Sequence, residues 1–194
     1  MKRIVFYGDS NTYGYDPRGF YEMRYPKEVR WTEKVRDRFR EDHIIIEEGQ
    51  NGRQLPSMPQ EEGFIKRLTG EFSEGDLFFI MLGTNDILLT DHPDAERVVG
   101  KMQALLEWFK REPRSYQVIV IGPVPISATA PELGVYHEES LKMNEGFAKI
   151  CEKMQISYYD SAEWGISMAY DGVHFSEEGC AAFAGHMAEI IEKS

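Results

Sequence analysis

Most features that would assign this chain to a special class are missing. Its 194 residues contain two cysteines, Cys151 and Cys180, without metal-type spacing. That excludes a disulfide-dense secreted scaffold and a cysteine-based zinc module, and two buried thiols of a reducing compartment are expected. Basic residues are in deficit, with 22 Lys plus Arg against 33 Asp plus Glu and a formal net charge of -11. Nucleic acid and anionic membrane both call for a basic surface, so neither is expected as a partner. No apolar run approaches the ~20 residues of a membrane span. The run Ile4 to Tyr7 behind Met1-Lys2-Arg3 is too short for a signal h-region, and a cytoplasmic location is expected. Also absent are a P-loop, a Gly-x-Gly-x-x-Gly fingerprint and a Gly-x-Ser-x-Gly elbow. Those absences remove the usual nucleotide readings and disfavour the elbow-type serine hydrolases.

What is present is a regular alternation. Ile4-Val5-Phe6-Tyr7 reads as a buried strand that stops at Gly8-Asp9-Ser10-Asn11. Trp31, Val35 and Phe39 recur at four-residue spacing and predict a helix over about 30–40. Ile44-Ile45-Ile46 is a second strand, followed by Glu48-Gly49-Gln50-Asn51-Gly52-Arg53. After a helix near 60–69, the apolar run Leu77 to Leu82 suits a strand covered on both faces and ends in Gly83-Thr84-Asn85-Asp86. Val98, Met102, Leu105 and Phe109 mark a long helix, with Pro93 and Asp94 at its start. Residues 116–121 form a fourth strand, Met143 to Met154 lie on a helix, and 156–159 are a fifth strand. Ser176 is placed as the N-cap of a terminal helix carrying Ala184, Met187 and Ile191. Residues 15–27 and 128–137 read as irregular loops. Five strands alternating with helices predict an α/β fold with a parallel sheet, helices on both faces and right-handed crossovers. With no linker or repeat, one domain over 1–194 is expected.

In a parallel sheet the loops after the strands gather on the carboxyl edge, where such folds keep their chemistry. Ser10 follows strand one, Gly52 strand two, Asn85 strand three, and Asp171 with His174 strand five. Each type suits one role in acyl transfer. Ser10 is a nucleophile once a base takes its proton, and His174 is the candidate base. Asp171, three residues earlier, can hold one imidazole nitrogen. The Ser10 and Gly52 N–H groups and the Asn85 amide can meet a developing oxyanion. Taken singly, the same residues also read as ordinary turns, a helix cap or a metal ligand, although no second His or Cys lies at ligand spacing.

Together, Gly8-Asp9-Ser10, the Gly52 loop, Gly83-Thr84-Asn85-Asp86 and Asp171-Gly172-Val173-His174 resemble the four blocks of the SGNH hydrolases, the GDSL-type esterases and lipases. They occur in the family's order and span nearly the whole chain. The resemblance implies a flavodoxin-like three-layer α/β/α sandwich with a five-stranded parallel sheet, and ester hydrolysis without metal or other cofactor. It implies Ser10 as nucleophile, Asp171 and His174 completing the triad, and Gly52 and Asn85 as oxyanion donors beside Ser10. Position 11 is Asn where the family name has Leu, a departure expected not to touch the mechanism. Gly49 and Gly52 both follow strand two. Likeness to the arylesterase branch, whose donor precedes Arg, selects Gly52, with Gly49 as the alternative.

The expected activity is a serine esterase acting on small carboxylic esters. The alternatives are a carbohydrate O-deacetylase, a thioesterase or lysophospholipase, and a binding protein on an inactive hydrolase scaffold. The expected partner is a small acyl ester, and self-association into a homo-oligomer is left open. Tyr13, Tyr25, Trp31 and Trp164 are candidate pocket residues. His43, His92, His137 and His186 lack a carboxylate at telling spacing and are assigned to surface or packing.

Overall fold

Alternation along each strand decides which side of the sheet each apolar residue serves. In β1 (Lys2–Gly8) the buried residues Val5 and Tyr7 face one core, while Ile4 and Phe6 face the other. β3 (Leu77–Met81) divides in the same way, with Phe78 and Ile80 on the first side and Leu77, Phe79 and Met81 on the second. Strands apolar throughout are therefore covered twice, as the unbroken run 77–82 predicts.

The computed structural model describes residues 1–20, 23–129 and 133–194. The loops expected over 15–27 and 128–137 fall partly on 21–22 and 130–132, which lie outside the described residues. β2 (His43–Gly49), β4 (Gln117–Gly122) and β5 (Ser157–Asp160) complete a five-stranded sheet in the order β2-β1-β3-β4-β5, and every pairing is parallel. The chain thus moves outward from β1 to one edge, returns past it and continues to the other edge. β1 and β3 flank the point where the order reverses, which is where α/β sheets open a crevice.

The helices in chain order are α1 (Ser10–Tyr13), α2 (Trp31–Phe39), α3 (Glu62–Thr69), α4 (Thr84–Leu88), α5 (Ala95–Arg111), α6 (Gly134–Met154) and α7 (Glu177–Glu192). Residues of α3, α5 and α6 build the core with Val5 and Phe78, and residues of α2 and α7 build the core with Phe6 and Phe79. Two fully buried aromatic junctions mark these cores. Trp31 of α2 meets Phe6 at 4.7 Å and Phe183 of α7 at 4.9 Å, while Phe78 meets Phe109 of α5 at 5.3 Å. Cys151 and Cys180 are free, buried and on opposite sides of the sheet, so no disulfide can join them. Burial pushes both thiols up to about 12, and neither is poised to react.

Helix ends follow the expected caps. The Asp94 carboxylate accepts from the Arg97 N–H, and the Ser176 hydroxyl from the Gly179 N–H. Two short helices were not predicted. Residues 10–13 and 84–88 carry turn-like sequences too short to show a helical period. α6 also begins at Gly134, inside the stretch read as loop.

The close approach of α1 to the sheet depends on two glycines. Gly8 and Gly49 are paired in register at the ends of β1 and β2. A Cβ on Gly49 would overlap the Tyr13 amide nitrogen, and one on Gly8 would overlap Thr12. Gly185, on the exposed side of α7 near its middle, has nothing within 4 Å of its missing Cβ. Gly49→Ala should therefore lower stability by ~1–3 kcal/mol through overpacking, whereas Gly185→Ala should raise it by up to ~1 kcal/mol through helix propensity. Urea midpoints of the two variants should move in opposite directions.

Candidate active site

β1 delivers Ser10 at the first turn of α1. The Asp9 carboxylate caps that turn by accepting from the Asn11 N–H at 3.0 Å, and Tyr13 N–H donates to the Asp9 carbonyl at 2.9 Å. Ser10 is nearly buried, with 7% of its surface exposed, so its hydroxyl sits in a place with little bulk water.

The opposite partner comes from the loop between β5 and α7. An antiparallel bridge between Met168 and Phe175 folds residues 167–176 back on themselves, fixed by Ala169 N–H to His174 O at 2.7 Å. At the tip, the Asp171 Oδ1 accepts from both Val173 N–H and His174 N–H at 3.0 Å. Its Oδ2 lies 2.6 Å from His174 Nδ1, and His174 Nε2 lies 2.9 Å from Ser10 Oγ. Burial alone would raise the Asp171 carboxyl, but the His174 side chain and the two backbone N–H groups outweigh it and hold it below the ordinary value. An ionised carboxylate at Nδ1 fixes the proton there and leaves Nε2 as acceptor for the serine proton. The Tyr15 ring packs on the imidazole at 4.5 Å between centroids.

Asn85 and the Gly52 loop are tied together at Arg53. The Asn85 Nδ2 donates to the Arg53 carbonyl at 3.0 Å, and Gln54 Nε2 returns a bond to the Asn85 carbonyl at 3.3 Å. The Arg53 guanidinium stacks on Tyr7 at 4.5 Å, bonds the Gly8 carbonyl at 2.9 Å and pairs with Glu48 at 3.0 Å. One amide hydrogen of Asn85 remains beyond the Arg53 bond, because the group has two. Asp86, fully buried, accepts from Leu55 N–H at 2.8 Å and from Lys101 Nζ at 2.6 Å, pinning the same loop to α5. Gly52 has φ +73 with open space around its Cα, while Gly49 is inside β2 beneath α1. That contrast favours Gly52 over Gly49 as the glycine free to offer its amide.

Of the residues expected to carry chemistry, Ser10, Asp171 and His174 meet directly, and the loops of Gly52 and Asn85, which follow β2 and β3, are joined through the Arg53 carbonyl. The aromatic expectations are corrected. Trp31 and Tyr25 are 2% and 3% exposed and belong to the core. Trp164 packs on Phe183 and stacks on His186, and Tyr13 lies under the Arg24 guanidinium at 4.1 Å. Tyr15, inside a stretch with no clean period, is the aromatic that touches the imidazole. Arg53 and Asp86 were quoted within their blocks without a role, and only their loop contacts reveal one. Asn11, expected to be neutral, bonds the segment that carries His174 on both sides. A polar groove of about 420 Å³ opens beside Gly52, with Gln50, Arg53, Gln54, Ser57 and Glu61 in its wall.

The sequence matches the model of the GDSL-like lipase/acylhydrolase family over residues 6–182, and the chain belongs to that family. It is a hydrolase acting on esters. Among solved structures it is similar to Est24, a carbohydrate acetylesterase from Sinorhizobium meliloti, at 23% identity and TM-score 0.81, covering 100% of this chain and 99% of that one. A putative arylesterase from Agrobacterium tumefaciens str. C58 is similar at 24% identity and TM-score 0.82, with 100% and 99% covered. The M. smegmatis aryl esterase follows at 22% identity and TM-score 0.80, again with 100% and 99% covered. These likenesses establish the flavodoxin-like sandwich. No curated protein matches the chain. No helix among the described residues is long and apolar enough to cross a membrane.

Asp9 supplies a pH test of this site. Burial pushes its carboxyl up to about 6, only partly opposed by the Asn11 N–H, by His174 and by Arg53. A carboxyl raised above its unfolded value holds its proton more tightly when folded, so its ionisation costs stability as pH climbs from ~4 to about 6. Asn at position 9 keeps the acceptor for Asn11 and has no charge to bury. Thermal melts of Asp9→Asn should match wild type near pH 4 and gain on it progressively up to about pH 6, staying ahead above that.

Proposed function

We propose that Ser10, His174 and Asp171 act as a catalytic triad that hydrolyses small carboxylic esters. The observation that carries this reading is the continuous path from Ser10 Oγ through His174 Nε2 at 2.9 Å and from Nδ1 to Asp171 at 2.6 Å. Ser10 Oγ attacks the acyl carbonyl carbon while His174 Nε2 takes its proton, and Asp171 stabilises the imidazolium that results. The oxyanion is met by the Ser10 and Gly52 N–H groups and by the free amide hydrogen of Asn85. Collapse of the intermediate expels the alkoxide, which receives the proton from His174 and departs as alcohol. Water, deprotonated by the same nitrogen, then attacks the acyl-serine; the Ser10 Oγ–acyl bond breaks, Oγ takes that proton back from His174, and the acid is freed.

The near-burial of Ser10 and the Tyr15 ring over the base suit a compact acyl group. A second reading, removal of acetyl from a sugar, draws on the polar groove beside Gly52, whose amides, hydroxyl and charged groups could meet hydroxyls of the alcohol portion. The printed description of Est24 as a carbohydrate acetylesterase agrees with that alternative.

Ser10→Ala should abolish turnover of p-nitrophenyl acetate and stoichiometric labelling by a fluorophosphonate while the thermal melt stays near wild type. Retained hydrolysis in the variant would sink the assignment. Asn85→Ala should lower kcat by ~10²–10³, the usual cost of one oxyanion donor. Rates on p-nitrophenyl esters of increasing length, set beside release of acetate from acetylated sugars, separate the two substrate readings.

A further inference from the structure

Asn11 stands next to the nucleophile, yet its side chain is spent on the segment that carries the base. Its Nδ2 donates to the Val173 carbonyl at 3.0 Å, and its Oδ1 accepts from the Phe175 N–H at 3.0 Å. The two bonds grip the backbone immediately before and immediately after His174, across 162 and 164 residues of sequence. Asn11 is itself immobile. Its N–H bonds the Asp9 carboxylate at 3.0 Å, its carbonyl accepts from Trp31 Nε1 at 2.8 Å, and it is 8% exposed. Trp31 is in turn locked between Phe6 and Phe183. A chain of fixed contacts thus runs from the sheet core through Asn11 to both peptide groups that bracket the imidazole.

We propose that Asn11 is a positioning residue whose amide fixes His174 relative to Ser10, setting the separation across which the serine proton moves. The proposal rests on the triad reading above. A primary amide presents a donor and an acceptor side by side on one planar group and so meets a carbonyl and an N–H together, while leucine, with no polar atom, can hold neither. Without the clip, the Asp171 turn still orients the imidazole toward its carboxylate, but nothing on α1 holds the turn at its distance from Ser10. A misplacement of ~1 Å at such a contact can cost on the order of 10²-fold in rate. Binding of the ester, which does not depend on the Ser10–His174 separation, is left alone.

The test compares wild type, Asn11→Leu, Asn11→Asp and Ser10→Ala on p-nitrophenyl acetate. Rates are normalised to sites titrated by a fluorophosphonate, so that a partly unfolded sample is not counted as a slow enzyme. Asn11→Leu should lose ~10–100-fold in kcat per titrated site, with KM changed less than about twofold. Its second-order rate of phosphonylation should fall alongside kcat, since that step uses the same proton transfer. Asn11→Asp keeps the volume and the acceptor for Phe175 but loses the donor to Val173, and it carries the test if the leucine variant does not fold. It too should lose kcat rather than gain KM. If the folded variant keeps kcat per titrated site within about twofold of wild type, Asn11 does not position the base. Turnover persisting in Ser10→Ala would instead remove the triad itself, an outcome separable from failure of the Asn11 proposal.

Discussion

The site depends on one steric allowance, the pair of bare backbone positions at the ends of β1 and β2. Gly8 and Gly49 lie side by side, and the space their side chains would have filled is taken by Thr12 and Tyr13 of α1. The short helix can therefore lie directly on the strand ends. That places the Ser10 hydroxyl near the sheet rather than above it, where the returning 171–174 turn can reach it. Asp9 is buried as a result, and its carboxyl is forced to serve as a cap in a poorly solvated place. A larger residue at either glycine would lift α1, and with it the serine and Asn11 together.

The second constraint is that no functional loop stands alone. The Gly52 loop is held by Arg53 to the Gly8 carbonyl and by Asp86 to α5, while Asn85 bonds the Arg53 carbonyl. The 167–176 segment is held by its own bridge, by Ser127 N–H to the Gly172 carbonyl at 2.8 Å, and by Asn11. Polar groups in low dielectric are costly unless paired, so these buried bonds specify one arrangement of the loops. Such cross-bracing fixes these groups beforehand, the preorganisation that the proposed oxyanion donors and base require for electrostatic stabilisation of a transition state.

Much of this was legible in the sequence. Five strands, their order along the chain and their long helices follow from apolar periodicity, because burial on one face or two leaves a direct imprint on residue spacing. The meeting of Ser10 with Asp171 and His174, and the nearness of Asn85, were legible because each lies in a segment that follows a strand of a parallel sheet, and topology brings those segments to one edge. Contacts made across the chain left no such imprint. Asn11 read as a harmless neighbour because nothing local shows that its amide reaches Val173 and Phe175. Trp31 and Tyr25 looked like pocket aromatics because loop sequence does not say which way a ring turns, and their burial is decided by α7 and by Phe175. The short helices 10–13 and 84–88 escaped for a related reason, since one turn is too brief to display a period.

Ser10 and His174 lie far apart along the chain, which bears on how the protein comes into being. Their contact closes a loop of 164 residues, and the 171–174 turn follows all five strands. The strands β1 to β4 and the core built with α3, α5 and α6 can form while Ser10 still lacks the imidazole proposed as its proton acceptor. On the proposed triad, hydrolytic competence waits for the 171–174 turn to dock on α1. Onset of turnover would then report the docking of that turn, and pairing of β1 to β4 alone would leave it silent.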